Sequence, residues 1–335
     1  MIDSAAASGL ELRIHGDFVE WLAATAGSLA VTTYNSGKLV FISAAGGKLA
    51  VHVTKLIRPM GVAYTYERLA VATRDRILSW QLEANGPADE PTFVAEAGHS
   101  TGRLDAHDLA FDVRGLVFAN TRFNCLARPS DRANFCRMWT PWFMKEHSRT
   151  PHDCCHLNGL GVREGRVNFA TAFCTGAEPD SWRGERRMTE GVVLDVTSDR
   201  VAASGLCMPH SPRWDGSRWW FCNSGEGTLC QFETSGGSHH AVAALPGFTR
   251  GLTFAGGRAV VGLSRIRRRH ILDAPPVRER YPRLRSGLWL VDAAAGRIPG
   301  ALEFVRGGRE VFDVAFLPGI VGASLASRRE GDEDL

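Results

Sequence analysis

Six copies of one short motif recur along the chain, roughly 50 residues apart. Each copy starts with one polar or otherwise distinctive residue, continues with Gly, Asp or Ser, and then enters an apolar strand that in most copies ends in an aromatic residue. The copies span residues 60–64, 107–111, 158–162, 210–214, 250–254 and 312–316. After most of them a turn leads to a second apolar run. Repeats with about four short strands each are typical of propeller blades, whereas an array of two-sheet sandwiches needs no such regularity.

The two ends of the chain determine the number of blades. Three predicted strands near the N-terminus, at residues 28–34, 38–43 and 48–54, lack an inner strand of their own. The last copy of the motif, within residues 311–316, would supply that strand and close the ring, which predicts an all-β, six-bladed β-propeller. We therefore expect one propeller domain over residues 17–325, after an N-terminal extension (1–16) and before a disordered tail (326–335). A capping pattern at Asp17 predicts a short helix ahead of the first blade.

The composition allows one large core and limits the classes of function. The chain has 335 residues, of which 44% are hydrophobic and 22% charged, with a formal net charge of +3. Because the net charge is small and aromatic residues do not alternate with basic ones, the sequence does not favour nucleic acid as a partner. Residues 1–16 lack the pattern of a secretory signal, and no apolar run is long enough to span a membrane. We therefore expect a cytoplasmic protein with no membrane association.

The repeat places the first residues of its copies around one rim of the central channel. In a propeller, the inner strands of all blades begin at the same face. The rim residues are then Met60, His107, Asn158, His210, Arg250 and Phe312, with Asp108 and Asp313 one residue deeper. His156 precedes Asn158 by two residues and lies on the same side of an extended chain. Whether His156 or Asn158 faces the channel stays open.

Three histidines from consecutive blades meet on this rim. The candidate metal ligands are His107, His156 and His210, with Asn158 as a further ligand. Three imidazoles with an open position suit a catalytic Zn(II), Fe(II), Mn(II) or Cu(II). Asp108 and Asp313 are candidates for the catalytic acid or base, or for partners that fix an imidazole tautomer. Alternatively, these polar side chains only hold ordered water at the mouth of a wet channel.

Arginines on the same face suggest an anionic ligand. The candidate substrate-binding residues are Arg250, Arg267, Arg268 and Trp182. Arg250 could hold a carboxylate or phosphate with two parallel hydrogen bonds. The other three lie in two long loops, 175–189 and 264–286, and the second of these is rich in arginine. Such a loop is either a clamp for an acidic peptide or phosphorylated metabolite, or a solvated basic segment.

Several stretches resemble an uncharacterised bacterial family of β-propeller proteins. They are Trp21-Leu22 with residues 28–34, Arg58-Pro59-Met60-Gly61, residues 155–159 and residues 312–316. This resemblance implies the fold and no catalytic residues. A looser resemblance is to six-bladed gluconolactonase-like hydrolases, which hold a divalent metal at the channel mouth with Glu, Asn and Asp. Asn158 and Asp313 stand at comparable places, but histidines replace acids, which favours a softer transition metal over calcium.

Two functions remain compatible with these features. The first is a metal-dependent enzyme acting on a small or peptide anionic substrate, by hydrolysis, elimination or oxidation. The second is a non-enzymatic propeller that binds a peptide or protein through its arginine-rich face. Metal content separates the two, since only the first requires a His-ligated transition metal.

Overall fold

A computed structural model describes residues 9–83, 91–146, 150–234, 236–266, 272–273 and 275–326. In chain order, its helices and strands begin with β1 (Glu11–Gly16), α1 (Phe18–Ala24), β2 (Gly27–Thr33), β3 (Lys38–Ala45), β4 (Lys48–Lys55), β5 (Val62–Thr65), β6 (Arg68–Ala72), β7 (Arg76–Leu82), β8 (Thr92–Ser100), β9 (Ala106–Asp112), β10 (Gly115–Asn120), β11 (Cys125–Arg128), β12 (Cys136–Trp139), β13 (Gly159–Arg163) and β14 (Arg166–Ala172). They continue with α2 (Arg186–Thr189), β15 (Gly191–Asp195), β16 (Arg200–Leu206), β17 (Pro209–Trp214), β18 (Trp219–Asn223), β19 (Thr228–Phe232), β20 (His239–Ala244), β21 (Phe248–Ala255), β22 (Arg258–Ser264), α3 (Pro275–Arg280), β23 (Gly287–Asp292), β24 (Gly300–Arg306), β25 (Val311–Pro318) and β26 (Ser324–Leu325).

These strands form six sheets, which are the blades of a β-propeller. Blades two to six are the consecutive antiparallel sets β5–β8, β9–β12, β13–β16, β17–β20 and β21–β24. Blade one combines β2, β3 and β4 with β25 from the other end of the chain. The prediction of six blades, closed by the last copy of the motif, is therefore confirmed.

Two further strands extend the outer edges of two blades. Strand β1 pairs antiparallel with β24 in blade six, and β26 pairs parallel with β8 in blade two. Residues 11–16, within the stretch expected to be an N-terminal extension, therefore form an outer strand of the propeller. Residues 327–335, most of the expected tail, lie outside the described residues.

The predicted short helix is present, but its predicted cap is not. Helix α1 begins after Asp17 and buries Phe18, Trp21 and Leu22. The carboxylate of Asp17 makes no capping bond to the helix; both of its oxygens instead accept hydrogen bonds from Arg258 at 2.9 Å. A charge-assisted contact with a distant strand has replaced the local one, which sequence spacing alone does not reveal.

Small and larger residues alternate around the ring at the second position of the motif. Blades two, four and six carry glycine there, and blades one, three and five carry Asp313, Asp108 and Ser211. A Cβ atom on Gly61 would lie 2.8 Å from Cα of Asp108, and one on Gly251 would lie 2.8 Å from Cα of Asp313. The glycines therefore allow adjacent inner strands to approach closely.

The larger residues at this position link each odd-numbered blade to the next one. Their side chains accept hydrogen bonds from backbone N–H groups of the next inner strand, at 3.0 Å in each case. The pairs are Asp108 with Leu160, Asp313 with Val62, and Ser211 with Gly251. The motif thus gives the channel a threefold pattern within its six blades.

The helices in the described part of the chain are all too short to cross a membrane.

Candidate functional site

An arginine that the sequence analysis did not single out lies between the two predicted catalytic carboxylates. Arg213 donates to both oxygens of Asp108 at 2.9 Å, and its Nη2 lies 3.5 Å from Oδ1 of Asp313. Both carboxylates are 3% exposed. Burial lowers the pKa of Arg213, but the two carboxylates raise it above its ordinary value. The oxygens of Asp108 and Asp313 are therefore occupied inside the channel, and their catalytic role stays a prediction.

Arg213 could have been found from the motif itself. It occupies the fourth position of its copy, where the other copies have small residues, namely Ala63, Ala110, Gly161, Thr253 and Ala315. A single long cation among small residues lining a narrow channel requires a counter-ion within it. Burial and the neighbouring Asp108 raise the pKa of Asp313 to about 7.

The ring of His107 is held through its Nδ1 atom. Its Nδ1 lies 2.9 Å from the carbonyl oxygen of Asp105 and 2.7 Å from Oγ1 of Thr121. Thr121 donates its own proton to the carbonyl of Leu157, so Nδ1 of His107 must carry the proton. Burial, with the nearby His156 and Arg250, lowers the pKa of His107 well below its ordinary value. His107 is therefore neutral at pH 7, with a lone pair on Nε2.

Blade five repeats the same arrangement around His210. Its Nδ1 lies 3.0 Å from the carbonyl oxygen of Met208 and 2.9 Å from Oγ of Ser224. In both blades the residue that supplies the carbonyl has a positive φ, 51° at Asp105 and at Met208. Burial, followed by the charge of Arg250, lowers the pKa of His210 well below its ordinary value. Its Nε2 is buried and has no hydrogen-bond partner among the described residues.

His156 is oriented by a carboxylate that the sequence analysis did not identify. Asp153 accepts the backbone N–H of His156 at 2.9 Å through Oδ1, and its Oδ2 lies 2.7 Å from Nδ1 of the ring. The backbone of His156 has a φ of 52°, and this turn allows the Asp153 carboxylate to reach both the N–H group and the ring of His156. The imidazole packs against Trp182 and Phe173, with ring centroids 4.3 and 4.4 Å away. This fixes the proton on Nδ1 and leaves Nε2 unbonded in the described part of the chain.

The structure distinguishes between His156 and Asn158. Oδ1 of Asn158 accepts a hydrogen bond from Thr171 at 2.8 Å, and its Nδ2 donates to the carbonyl of His156 at 3.0 Å. His156 lines the rim cavity, and Asn158 does not. Asn158 and Asp313, the positions comparable to metal ligands of gluconolactonase-like enzymes, both have oxygens bonded to protein groups. These oxygens already accept hydrogen bonds from the protein, and the role of Asn158 as a metal ligand stays a prediction.

A cavity of about 410 Å³ opens at the predicted rim. Its walls include His107, His156, Arg250, Phe312, Trp182 and Tyr34. His210 is not among the lining residues, and its ring contacts those of Phe173 and Phe248. The structure therefore brings together four of the predicted site residues at one cavity. The predicted substrate-binding residues Arg267 and Arg268 lie outside the described residues, so the arginine clamp stays a prediction.

Arg250, together with Arg183, supplies positive charge to the lining of this cavity. Its guanidinium carbon lies 3.3 Å from the ring centroid of Phe312. Its Nη2 is buried, and in the described part of the chain this atom has no hydrogen-bond partner. Burial lowers the pKa of Arg250 to about 10, although the carboxylates of Asp313 and of Glu310, which lines the same cavity, oppose that shift. The guanidinium is therefore charged at neutral pH, with one donor unused.

The three histidines do not form a metal cluster in this arrangement. Within the described ranges, no group of three or more His, Cys, Asp or Glu side chains is placed to hold a metal ion. The rings of His107 and His156 meet edge to face, with centroids 4.8 Å apart. Arg250 adds a positive charge that contributes to the lowered pKa of both His107 and His210, and the same charge opposes a bound cation. The described residues thus contain no ready cluster of metal ligands, and the transition-metal site stays a prediction.

Solved structures similar to this chain are β-propeller proteins or share that architecture. A chain of a nidogen/laminin complex aligns with a TM-score of 0.55 and 10% identity, over 88% of this chain and 99% of that one. A protein of unknown function from Bacteroides caccae aligns with a TM-score of 0.51 and 9% identity, over 87% and 98%. TolB from Acinetobacter baumannii aligns with a TM-score of 0.50 and 11% identity, over 87% and 67%. At such identities the likeness shows the fold alone.

Sequence comparison gives the family but no activity. No curated protein matches the chain. The model of the family described as a domain of unknown function, DUF4915, matches residues 16–325. The expectation of an uncharacterised propeller family is thereby confirmed, and the chain belongs to the DUF4915 family.

Proposed function

We propose that the rim cavity is the active site of an enzyme that binds a small molecule through a carboxylate or phosphate group held by Arg250. The observation that carries this proposal is the buried Nη2 of Arg250, which has no partner among the described residues. A buried donor without a hydrogen bond costs about 1–3 kcal/mol. An anionic ligand would offset that cost by accepting a charge-assisted hydrogen bond from Nη2. In the free protein no described residue accepts this bond.

The charge of Arg250 supports an anion over a cation in the cavity, which the carboxyl-bearing Glu310 also lines. Arg250 is charged, and the lowered pKa keeps His107 neutral. Positive potential from Arg250 is one cause of that lowering, so the same field would attract a negative group. The stacking of Arg250 on Phe312 holds the guanidinium plane in place, which is the arrangement that planar recognition of a carboxylate requires.

His156 is the residue best placed to accept a proton from such a ligand. The Asp153 carboxylate orients its ring and would stabilise the imidazolium formed when Nε2 takes up a proton. In the described part of the chain His107 has no carboxylate partner, and its Nδ1 donates to the carbonyl of Asp105, so its Nε2 would accept a hydrogen bond from the ligand without taking up the proton. In this proposal Arg250 anchors the substrate, His156 is the general base, and Asp153 is its positioning residue.

Ligand binding to an Arg250 variant tests the proposal. Calorimetric titration with acetate, malate and inorganic phosphate should give binding to the wild type and at least a 10-fold loss in Arg250→Met. Arg163→Met is the matched control, because Arg163 also stacks on an aromatic ring, that of Trp214 at 4.4 Å, but does not line the rim cavity. Binding that survives Arg250→Met unchanged, or a wild type that binds none of these anions, would overturn the proposal.

A further inference from the structure

The donors and acceptors of the rim cavity define more than an anion site. Among the described residues that line it, two side chains have buried donors without hydrogen-bond partners: Arg250 through Nη2 and Trp182 through Nε1. Two imidazoles present hydrogen-bond acceptors instead. The bonds at Nδ1 of His107 and His156 place a proton on that nitrogen, so the neutral form of each ring has its lone pair at Nε2. The cavity would therefore match a ligand that has hydrogen-bond acceptors facing Arg250 and Trp182 and hydrogen-bond donors facing the two histidines.

The two ends of this ligand lie close to each other. Arg250 stacks on the ring of Phe312 at 3.3 Å, and the ring of His107 contacts the same ring with a centroid distance of 5.5 Å. His156 lies beyond His107, at 4.8 Å between centroids. A carboxylate on Arg250 would thus have its neighbouring carbon atoms directed along Phe312 towards the two imidazoles. The cavity volume of about 410 Å³ is that of a small-molecule site.

From this arrangement, which rests on the proposed function, we infer that the ligand is a hydroxycarboxylic acid, with its carboxylate on Arg250 and a hydroxyl at position 2 or 3 donating to His107 or His156. A hydroxyl group is favoured over an amine as the donor. An ammonium group would add a second cation beside Arg250, whose charge already disfavours protonation of His107. A hydroxyl donates a hydrogen bond without that repulsion.

Matched ligand pairs test the class on the unmodified protein. By calorimetric titration, lactate should bind at least 10-fold more tightly than propionate, and malate more tightly than succinate, because the deoxy acids leave the imidazole nitrogens unpaired. Alanine should bind less tightly than lactate. Equal affinities within a pair, or tighter binding of alanine, would overturn the hydroxy-acid assignment while leaving Arg250-dependent anion binding intact.

One variant assigns the preference to the imidazole. His107→Leu should reduce the lactate-to-propionate ratio towards one and retain binding of propionate through Arg250. His52→Leu, an exposed position on β4, is the control and should keep the ratio. A ratio unchanged in His107→Leu would contradict the assignment. If the variant does not fold, the wild-type pairs decide the question. If the wild type binds none of these anions, the proposed function itself is overturned.

Discussion

Arg250 and His210 begin the inner-strand motif in adjacent blades, and each has a buried polar atom without a hydrogen-bond partner among the described residues. Nη2 of Arg250 is a donor, and Nε2 of His210 is an acceptor; both are buried, and neither has a hydrogen-bond partner among the described residues. The charge of Arg250 is also the largest cause, after burial, of the lowered pKa of His210. The rim thus carries polar groups whose hydrogen bonds are incomplete in the free protein, which is common where a fold gives up stability for a binding site.

Replacing Arg250 should therefore stabilise the protein while it removes anion binding. Arg250→Met keeps the apolar stem against Phe312 and removes the unpaired donor, so the free energy of unfolding should rise by about 1 kcal/mol. Denaturant titration measures this change. Arg163→Met should give no gain, because Arg163 lies at an exposed position. A lower free energy of unfolding in Arg250→Met would show that the cation is already satisfied.

The buried histidines predict a loss of stability on acidification. The pKa of His210 is lowered well below its ordinary value, mainly by burial. The unfolded chain therefore binds a proton near pH 6.5 that the folded state does not take up until lower pH. Stability should fall as the pH drops below about 6.5, by up to about 1.4 kcal/mol per pH unit for this one group.

The variant His210→Phe checks this origin, because it keeps an aromatic ring beside Phe173 and Phe248 but cannot be protonated. Its unfolding free energy, measured by urea titration from pH 5 to 7, should depend less steeply on pH than that of the wild type. His52→Leu, at an exposed position, should keep the wild-type slope. An identical slope in His210→Phe would assign the acid sensitivity to other groups.

The two channel carboxylates, Asp108 and Asp313, should contribute unequally to the stability of the protein. Asp108 makes two bonds of 2.9 Å to Arg213, whereas Asp313 lies 3.5 Å from it. Asp108→Asn leaves the buried guanidinium poorly compensated, so we expect a loss of about 3–5 kcal/mol. Asp313→Asn should cost much less, since the amide replaces a carboxyl whose pKa burial and Asp108 raise to about 7.

The pH dependence of Asp313→Asn follows from the same shift. Between about pH 4 and 7 the folded wild type binds a proton at Asp313 that the unfolded chain has lost, so this group makes stability fall as the pH rises. The variant lacks this contribution. Relative to wild type, Asp313→Asn should therefore become more stable from pH 4 to 7 and stay constant above that range. A constant difference throughout would mean that Asp313 is ionised in the folded protein.

The sequence predicted the ring but not the contacts across it. Six copies of the inner-strand motif were sufficient to predict six blades and the closure by β25, because strand periodicity and blade order are properties of the linear chain. The pairing of Arg213 with Asp108 joins positions 105 residues apart across the channel. Which side chain crosses a closed ring depends on the geometry of the whole sheet array, so the contact of Asp108 with Arg213 cannot be predicted from the linear sequence.

Sequence reasoning named four of the residues that line the candidate cavity, but it could not predict how their rings are hydrogen-bonded. The motif identified His107, His210 and Arg250, and the spacing to Asn158 identified His156. The protonation of the rings depends on backbone turns with positive φ at Asp105, Met208 and His156, and none of these is a glycine whose position would have indicated such a turn. The role of Asp153 follows from the turn at His156, so it could not be read from residue spacing.

Metal uptake should depend on Arg250 if the rim favours anions. We expect Zn(II) to bind the wild type weakly, and Arg250→Met to bind it more tightly, because the variant removes a positive charge beside His107 and His210. Equilibrium dialysis followed by elemental analysis measures both. A stoichiometric transition metal in the purified wild type that is lost in the double variant His107→Ala, His210→Ala would instead support the metal-dependent enzyme expected from the sequence.

The variant Asp153→Asn should reverse the hydrogen-bonding character of His156. The amide oxygen can still accept the backbone N–H, which directs the amide NH₂ group towards Nδ1 of the ring. The proton must then move to Nε2, which changes the acceptor facing the cavity into a donor. Nitrogen NMR of the histidine rings would detect the new tautomer, and the preference for lactate over propionate should decrease. Asp199→Asn, which alters an ion pair with the exposed Lys145, should change neither. An unchanged tautomer in Asp153→Asn would show that the carboxylate does not control His156.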